Sequence, residues 1–318
     1  MTASEATPIP FGIKLQQLAE SDPDGVGAVI VSLDGTDTSL TWSQLERGAN
    51  QWGRVLQAHG AGVGDRVAIA IQNSVDLTCG LLGCWKAGAI PIPVRWDLPD
   101  WERDRVLAVI EATVEVSSKN IEALRKEAAA ADDGPMPAVV APQINGICSS
   151  GATGTPKVIM STRPAEWLPN LSDPFISNWQ GCTRPQVILV MAPMYHTNGF
   201  ATLHFLLGGD RLVILEKFDA KVALDAIERH KVTTFTATPT MLQRIADVDD
   251  VFDRDLSTVE WILQGAAMMP PSLLRTWFDL LAPEKIVMAY GMTEQLGLTS
   301  LRGDEWLAHE GSVGRGFR

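Results

Sequence analysis

The 318-residue chain is acidic, with 26 Lys and Arg residues against 38 Asp and Glu, so its formal net charge is −12. This balance argues against a nucleic-acid binder, because neutralising phosphates takes an excess of Lys and Arg on at least one face. With 46% hydrophobic and 20% charged residues, the composition is that of a folded globular protein of about two domains.

We expect neither a leader peptide nor a membrane-spanning segment. Residues Met1 to Pro10 lack a basic start followed by an apolar core. The most apolar stretch, from Cys79 to Val94, is interrupted by Lys86 and is shorter than the ~18 apolar residues that a span needs. The four cysteines form no CxxC pair, so neither a zinc ribbon nor a redox motif is indicated. Free thiols in a cytoplasmic protein are the expectation.

Strands and helices are predicted to alternate in the first half of the chain. Between Trp42 and Gly60 apolar residues recur at helical spacing, behind a capping box formed by Ser43 and Glu46. The following elements are, in chain order, strand 66–71, helix 74–87, strand 89–94, helix 100–112, strand 114–117 and helix 121–130. The stretch from Ala129 to Pro142 is the best candidate for a linker, because it is rich in Ala, Pro, Asp and Gly.

The alternation continues in the second half. Apolar runs predict strands at 144–148, 157–160, 187–191, 211–215, 233–236, 259–263 and 286–288. Helix-length segments separate most of them, which favours an α/β fold with helices packed on largely parallel sheets. With the linker as boundary, we predict one α/β subdomain over residues 1–142 and a second over residues 143–318.

The segment Ser149-Ser-Gly-Ala-Thr-Gly-Thr-Pro-Lys157 has the composition of a phosphate-binding loop. Glycines let backbone N–H groups approach an anion closely, hydroxyls add donors, and the lysine supplies positive charge. The P-loop signature of NTPases is excluded, because Pro156 stands where GxxxxGK[ST] needs its second glycine. The alternative is a Ser/Thr/Gly surface turn.

The segment Met288-Ala-Tyr-Gly-Met-Thr-Glu-Gln295 places an aromatic ring, a glycine turn, a hydroxyl and a carboxylate after a predicted strand. Ligands collect at the carboxyl ends of strands in α/β sheets, so Tyr290 could stack on a flat ring while Thr293 and Glu294 face phosphate and Mg²⁺. The alternative is an ordinary strand–turn–helix junction.

Taken together, the two segments resemble the adenylate-forming (ANL) superfamily, which includes acyl-CoA synthetases, nonribosomal peptide adenylation domains and firefly luciferase. Three further segments match this family in its order: Pro193-Met-Tyr-His-Thr-Asn-Gly199, Gln264-Gly-Ala-Ala-Met-Met-Pro270 and Gly311-Ser-Val-Gly-Arg315. Upstream likenesses are Leu40-Thr-Trp-Ser-Gln-Leu45, Gly64-Asp-Arg-Val67 and Lys86-Ala-Gly-Ala-Ile-Pro91. The resemblance, which is to AMP-dependent acyl-CoA synthetases, covers nearly the whole chain and implies two packed, largely parallel β-sheets with flanking helices.

The resemblance also implies a two-step reaction. A carboxylate attacks the α-phosphate of ATP to give acyl-AMP and pyrophosphate, and the thiol of CoA then displaces AMP. ATP, Mg²⁺ and CoA are therefore implied, with a small-molecule carboxylic acid as substrate. Dimerisation is common among members of the family, so a homodimer stays open.

The family's functional residues transfer to this chain by motif. The β- and γ-phosphates would be held by Ser149, Ser150, Gly151, Thr153, Gly154 and Lys157. Further nucleotide contacts would come from Gly265, Ala266, Ala267, Tyr290, Gly291 and Thr293. The acyl pocket would be lined by His196, Asn198, Gly199, Phe200, Thr238, Met268 and Met292. The catalytic set would be His196, Thr293 and Glu294. In this scheme Tyr290 stacks on adenine and Glu294 binds Mg²⁺.

Some of these residues have simpler interpretations, and two loop positions depart from the family. A lone histidine such as His196 is often a satisfied core residue, and Met268 and Met269 could fill a core. Ala152 replaces a hydroxyl residue, which removes one possible phosphate hydrogen bond of ~1.5–3 kcal/mol. Val158 replaces the usual glycine after the lysine.

The sequence given ends at Arg318, soon after the Gly311–Arg315 segment. The family continues into a ribose-binding aspartate, a hinge and a small C-terminal lid domain with the adenylating lysine. We therefore expect only the large N-terminal domain of a ligase, as a cut piece or a naturally shortened product.

The favoured function is an AMP-forming acid–CoA ligase acting on a lipid-like, steroid-derived or aromatic acid. The alternative is a non-catalytic nucleotide- and acyl-binding fragment without the C-terminal catalytic domain. A peptide-synthetase adenylation domain is disfavoured, because Phe235-Thr-Ala-Thr-Pro239 lacks the aspartate that holds an α-amino group. Nothing in the sequence favours luciferase-type oxygenation.

Overall fold

The computed structural model describes residues 7–149, 156–292 and 297–316. Contacts between Cα atoms divide the chain into two compact units, each built from separate segments. The first unit contains the residues up to Ala28, Ser39–Ser172 and Pro193–Gly209. The second contains Val29–Thr38, Asp173–Ala192 and the residues from Asp210 onward. The boundary predicted between residues 142 and 143 lies inside the first unit, and the predicted subdomains stay a prediction.

Helices and strands alternate along most of the described chain. The helices are α1 (Phe11–Ser21), α2 (Trp42–Ala58), α3 (Val75–Ala87), α4 (Asp100–Ile110), α5 (Ile121–Ala130), α6 (Thr197–Phe200), α7 (Thr202–Leu207), α8 (Ala220–His230), α9 (Pro239–Ala246), α10 (Pro271–Leu280) and α11 (Gly303–Ala308). The first eight strands are β1 (Ile9–Pro10), β2 (Val26–Val31), β3 (Asp37–Thr41), β4 (Arg66–Ala70), β5 (Ile90–Pro93), β6 (Val114–Ser117), β7 (Gly146–Ser149) and β8 (Lys157–Met160). The others are β9 (Glu166–Trp167), β10 (Val187–Val190), β11 (Arg211–Leu215), β12 (Thr234–Ala237), β13 (Trp261–Gln264), β14 (Ile286–Gly291), β15 (Leu298–Arg302) and β16 (Arg315–Gly316).

The predicted α/β class is confirmed, and the strands are largely parallel. Within the described ranges, the largest sheet has nine strands in the order β16-β15-β14-β13-β12-β10-β11-β2-β3. The neighbours from β11 through β10, β12 and β13 to β14 are parallel, whereas β15 and β16 pair antiparallel. A three-stranded sheet of the first unit, in the order β5-β4-β6, is also parallel. No helix in the described part of the chain is long and apolar enough to cross a membrane.

The start of α2 differs from the prediction. Thr41, rather than Ser43, is the N-cap: its hydroxyl accepts a hydrogen bond from Gln44 N at 3.2 Å, and the Gln44 side chain accepts one from Thr41 N at 2.8 Å. The capping box predicted for Ser43 and Glu46 is therefore wrong. Both pairs have the spacing of a capping box, but Glu46 is turned into the protein interior.

Glu46 forms a buried ion pair with Lys86 between α2 and α3. Lys86 Nζ lies 2.6 Å from Glu46 Oε1, and the two residues are 3% and 7% exposed. The Asn50 side-chain amide donates a further hydrogen bond to Glu46 Oε1 at 3.1 Å. Burial lowers the pKa of the Lys86 ammonium, and the Glu46 carboxylate offsets part of this effect. The ion pair thus joins α2 and α3, and each charge stabilises the charged form of its buried partner.

The predicted linker is irregular, but side chains of α2 hold it. Beyond the end of α5, the Asn50 amide donates to Asp133 O at 3.0 Å and the Arg54 guanidinium to Gly134 O at 2.8 Å. Met136 is buried within this stretch. The segment is therefore part of the packed first unit.

We expect the substitution Lys86→Met to destabilise the fold by about 3 kcal/mol, because it leaves the Glu46 carboxylate buried without its partner. Adding Glu46→Leu should restore much of that loss in the double variant. Urea unfolding of the two single variants and the double variant measures this coupling. As a control, Lys221→Met removes the exposed pair with Asp225 and should cost less than about 1 kcal/mol. Additive effects of Lys86→Met and Glu46→Leu would contradict the account.

Candidate functional site

Three adjacent parallel strands of the second unit, β12, β13 and β14, end at one edge of the sheet. In the register of these strands, Ala237 of β12 lies opposite Gln264 of β13, which lies opposite Met288 of β14. Because the strands are parallel, their carboxyl ends point the same way. Thr238, the Gly265–Ala267 turn and the end of β14 therefore lie at the edge where ligands of α/β sheets bind.

The buried side chain of Gln264 holds the Gly265–Ala267 turn. Its amide nitrogen donates to Gly265 O at 3.2 Å and to Ala267 O at 2.7 Å. Gly265 N donates to Ala237 O at 3.3 Å, which ties the start of the turn to β12. Ala266 has φ of +70°, a conformation that costs an alanine free energy and is found in turns and functional sites. The turn is therefore fixed in place before any ligand binds.

Apolar side chains lie exposed at this edge. Tyr290 is 63% exposed, Met292 49% and Met268 90%, whereas Met269 is 7% exposed and belongs to the core. The core interpretation therefore holds for Met269 and is wrong for Met268. Exposed apolar groups at a sheet's carboxyl edge are the kind of surface that a flat, partly apolar ligand covers. Thr238 has a structural role here as well, because its hydroxyl accepts from Met241 N at 3.3 Å and caps α9.

In the first unit, β7 and β8 form the two sides of the predicted phosphate loop. They pair antiparallel with Ser149 directly opposite Lys157, so the hydroxyl residue and the exposed lysine stand together at the base of the loop. Val158, the departure from the family pattern, packs on the apolar cluster around Ile92 and Val94. The substitution of the usual glycine therefore adds core contacts to the strand that carries Lys157.

His196 lies in the first unit, at the start of α6. Its backbone N–H donates to Pro193 O at 3.0 Å, and its ring lies 4.4 Å from the Tyr195 ring between centroids. Asn198 is half-buried and Gly199 is buried. Phe200 is buried and packs edge-on against Trp85 at 5.9 Å. The His196 side chain is the exposed member of this segment's predicted substrate set.

The pKa of His196 lies below its ordinary value. Surrounding protein atoms desolvate the ring although the residue keeps exposed surface, and the Arg95 cation adds to the effect. Arg95 itself is paired with Asp97 through a bond of 2.6 Å from Nε. His196 is therefore mainly neutral at pH 7, and its ring can donate one hydrogen bond through the protonated nitrogen and accept one at the other.

We expect Arg95→Gln to raise the pKa of His196, because removing a nearby positive charge makes protonation easier. The pKa should stay below its ordinary value, since the desolvation remains. NMR titration of the imidazole Cε1–H signals measures this shift. His204 is the internal control: burial and the Arg163 cation set its pKa at about 4, so Arg95→Gln should leave it unchanged. An unchanged His196 titration would contradict the assignment.

The remaining predicted site residues lie outside the described ranges: Ser150, Gly151, Thr153, Gly154, Thr293 and Glu294. Their roles stay predictions. Within residues 7–149, 156–292 and 297–316 there is no group of three or more His, Cys, Asp or Glu side chains that could hold a metal ion. Because Glu294 lies outside these ranges, its predicted contact with Mg²⁺ stays a prediction.

The sequence did not indicate three residues that act on the candidate site segments. Gln264 bonds the Gly265–Ala267 turn, Arg95 lowers the pKa of His196, and Asn73 bonds the backbone of Met194. Gln264 was part of a matched motif, but its side-chain bonds to the following turn carry no sequence signature. Arg95 acts on His196 across a long sequence separation, and Asn73 bonds Met194, 121 residues away. A glutamine directly before a small-residue turn is the one local signal that was available.

The sequence profile described as "AMP-binding enzyme" matches residues 15–145 and 144–318. The chain is 27% identical over 307 residues to the long-chain-fatty-acid–CoA ligase FadD13 of Mycobacterium tuberculosis, which covers 88% of this chain and 60% of FadD13. It is 31% identical over 277 residues to the feruloyl-CoA synthase of an Amycolatopsis species, which covers 81% of this chain and 55% of that protein. The chain thus spans about 60% of the length of the curated relatives it matches.

Solved structures agree with the sequence comparison. The inhibitor-bound N-terminal domain of FACL13 from Mycobacterium tuberculosis superimposes with a TM-score of 0.82 at 25% identity, covering 96% of this chain and 82% of that one. The o-succinylbenzoate-CoA synthetase MenE from Bacillus subtilis, in complex with its acyl-adenylate intermediate, shares the fold with a TM-score of 0.80 at 22% identity, over 98% of this chain and 65% of MenE. The chain belongs to the AMP-binding enzyme family.

Proposed function

We propose that this chain is the large domain of an AMP-forming acid–CoA ligase. In that enzyme it binds ATP and a carboxylic acid. The observation that carries the proposal is the fixed Gly265–Ala267 turn after β13, together with the exposed Tyr290 ring near the carboxyl end of the neighbouring parallel strand β14. Relatives named as CoA ligases support the same activity. The exposed ring offers a stacking face, and the turn offers backbone groups in a fixed arrangement.

In the proposed reaction the acid's carboxylate oxygen attacks the α-phosphorus of ATP, and the bond from that phosphorus to the pyrophosphate oxygen breaks. The CoA sulfur then attacks the acyl carbon, and AMP leaves. Tyr290 stacks on the adenine, and Lys157 supplies positive charge to the phosphates. Mg²⁺, held by Glu294 as the motif predicts, would neutralise phosphate charge when bound.

Neutral His196 suits the first step. A neutral imidazole adds no second positive charge beside Arg95, and it can hold the carboxylate through one hydrogen bond while leaving it nucleophilic. Its role is therefore orientation of the acid for attack. Because the pKa of His196 lies below its ordinary value, the imidazole stays mainly neutral around pH 7.

The acid's tail is proposed to be apolar, of the lipid-like, steroid-derived or aromatic kind. Met268 and Met292 are exposed at the sheet edge, and methionine adapts its shape to varied apolar partners. Relatives act on acids of these kinds by name: a long-chain fatty acid, ferulic acid, and a methyl-dioxo-octahydro-indenyl propanoic acid in Rhodococcus jostii. The four cysteines, which are unpaired, support the proposed cytoplasmic location. A homodimer stays a prediction.

We expect Tyr290→Ala to weaken binding of a non-hydrolysable acyl-sulfamoyl adenosine about tenfold, because adenine loses its stacking partner. Isothermal titration calorimetry with fatty, aromatic and steroid-derived acyl groups measures this affinity and ranks the acyl classes. Phe252→Ala is the matched control, because Phe252 is also 63% exposed in the second unit and lies outside the matched motifs. Equal losses in the two variants would remove Tyr290 from the site.

Carboxylate-dependent exchange of labelled pyrophosphate into ATP tests catalysis by the 318-residue chain. Exchange with an acid whose adenylate analogue binds supports the ligase proposal and identifies the substrate class. Tight binding of the analogue without exchange would instead favour the alternative, a nucleotide- and acyl-binding module. Wild-type protein that binds neither ATP nor any analogue would contradict both.

A further inference from the structure

A buried side chain far away in sequence holds the backbone just before His196. Asn73 lies in the loop between β4 and α3, and its Oδ1 accepts a hydrogen bond from Met194 N at 2.9 Å. Asn73 is 5% exposed and Met194 is fully buried. The bond joins residues 121 positions apart within the first unit. A buried backbone N–H needs such a partner, so the loop is held at this point.

The loop that carries Asn73 is itself well anchored. The Ser74 hydroxyl accepts from Leu77 N at 3.1 Å and caps α3. It also donates to Gln72 O at 3.0 Å, so the residues on both sides of Asn73 are joined. The Asn73 carboxamide therefore projects from a rigid start of a helix.

The hydrogen bond between Asn73 and Met194 restrains the backbone before His196. The packing of Phe200 on Trp85 restrains the backbone after it. Met194 lies within the turn that the hydrogen bond from His196 N to Pro193 O closes. After His196 comes α6, whose last residue, Phe200, packs edge-on against the buried ring of Trp85. His196 thus stands between two anchored points, with an exposed side chain on a restrained backbone.

We propose that Asn73 is a positioning residue for the acid: by holding Met194 N–H, it keeps the His196 ring where the substrate carboxylate arrives. This inference deepens the proposed function and rests on it. A loosened turn would let the His196 ring move, and misplacement by about 1 Å costs binding and rate at a reacting centre. The nucleotide contacts proposed for Tyr290 and the Gly265–Ala267 turn use no group of this turn.

The test compares Asn73→Ala, Asn73→Asp and Asn50→Ala. Asn73→Ala removes the acceptor and Asn73→Asp keeps an oxygen in its place. Asn50→Ala is the matched control, because Asn50 is also a buried asparagine of the same unit, 1% exposed against 5% for Asn73, and it bonds Glu46 and Asp133. Calorimetry with ATP and with an acyl-sulfamoyl adenosine separates nucleotide affinity from acyl affinity in each variant.

We expect Asn73→Ala to weaken binding of the acyl-sulfamoyl adenosine about tenfold, the effect of one lost hydrogen bond, with ATP affinity within about twofold of wild type. Asn73→Asp should restore most of the affinity for the analogue. Asn50→Ala should lower stability without changing either affinity. Equal losses for ATP and analogue, or no loss for either, would overturn the proposal.

Two measurements decide the inference without relying on ligand binding. Hydrogen exchange of the Met194 amide in the wild-type protein should be slow, and fast exchange would overturn the proposal even if Asn73→Ala fails to fold. NMR titration of His196 should show its pKa moving towards the ordinary value in Asn73→Ala but not in Asn50→Ala, because a loosened ring gains water. If no analogue binds to wild type, the proposed function fails. An unchanged His196 titration would overturn the positioning role.

Discussion

The parallel register of β12, β13 and β14 is the constraint on which the nucleotide side of the candidate site depends. It sets Ala237, Gln264 and Met288 side by side, so Thr238, the Gly265–Ala267 turn and the end of β14 lie at one edge of the sheet. Gln264 then fixes the conformation of the Gly265–Ala267 turn at that edge, because its buried amide donates hydrogen bonds to two carbonyl groups of the turn. A buried amide without partners would cost free energy, so the turn and the strand stabilise each other.

In the first unit, the segments that carry candidate site residues are held by a different means. Here single side chains form hydrogen bonds with backbone groups that are distant in sequence. Asn73 Oδ1 accepts from Met194 N, and Trp85 Nε1 donates to Ile144 O at 2.8 Å. Trp85 also packs against Phe200, while Ile144 lies two residues before β7, the strand that leads into the predicted phosphate loop. One buried indole therefore supports both the His196 segment and the approach to the loop. Rigid support of this kind is what orientation of two substrates requires.

The sequence predicts the element order well, because short apolar runs and helical periodicity are local signals. It also offers candidate site segments, because the motifs carry the family resemblance, and the roles of their residues stay predictions. The start of α2 shows where local signals fail: Thr41–Gln44 and Ser43–Glu46 both have capping spacing, and only burial of Glu46 against Lys86 decides between them. That partner lies 40 residues away, beyond any local pattern.

Side-chain direction is the second thing that sequence reasoning could not supply. Met268 and Met269 are neighbours of the same type, yet one is exposed and the other buried, because the turn after β13 determines which faces the core. Phe200 fits an acyl pocket by motif, but it is buried against Trp85. The run Val26–Val31 forms β2, which the predicted elements do not include, although its apolar sequence is typical of a strand.

The most direct test of the account is a crystal structure of the 318-residue chain with a bound acyl-sulfamoyl adenosine. The account predicts the adenine ring on the face of Tyr290 beside the Gly265–Ala267 turn, with that turn unchanged from its unliganded form. An analogue bound elsewhere on the chain, with Tyr290 still exposed to solvent, would contradict it.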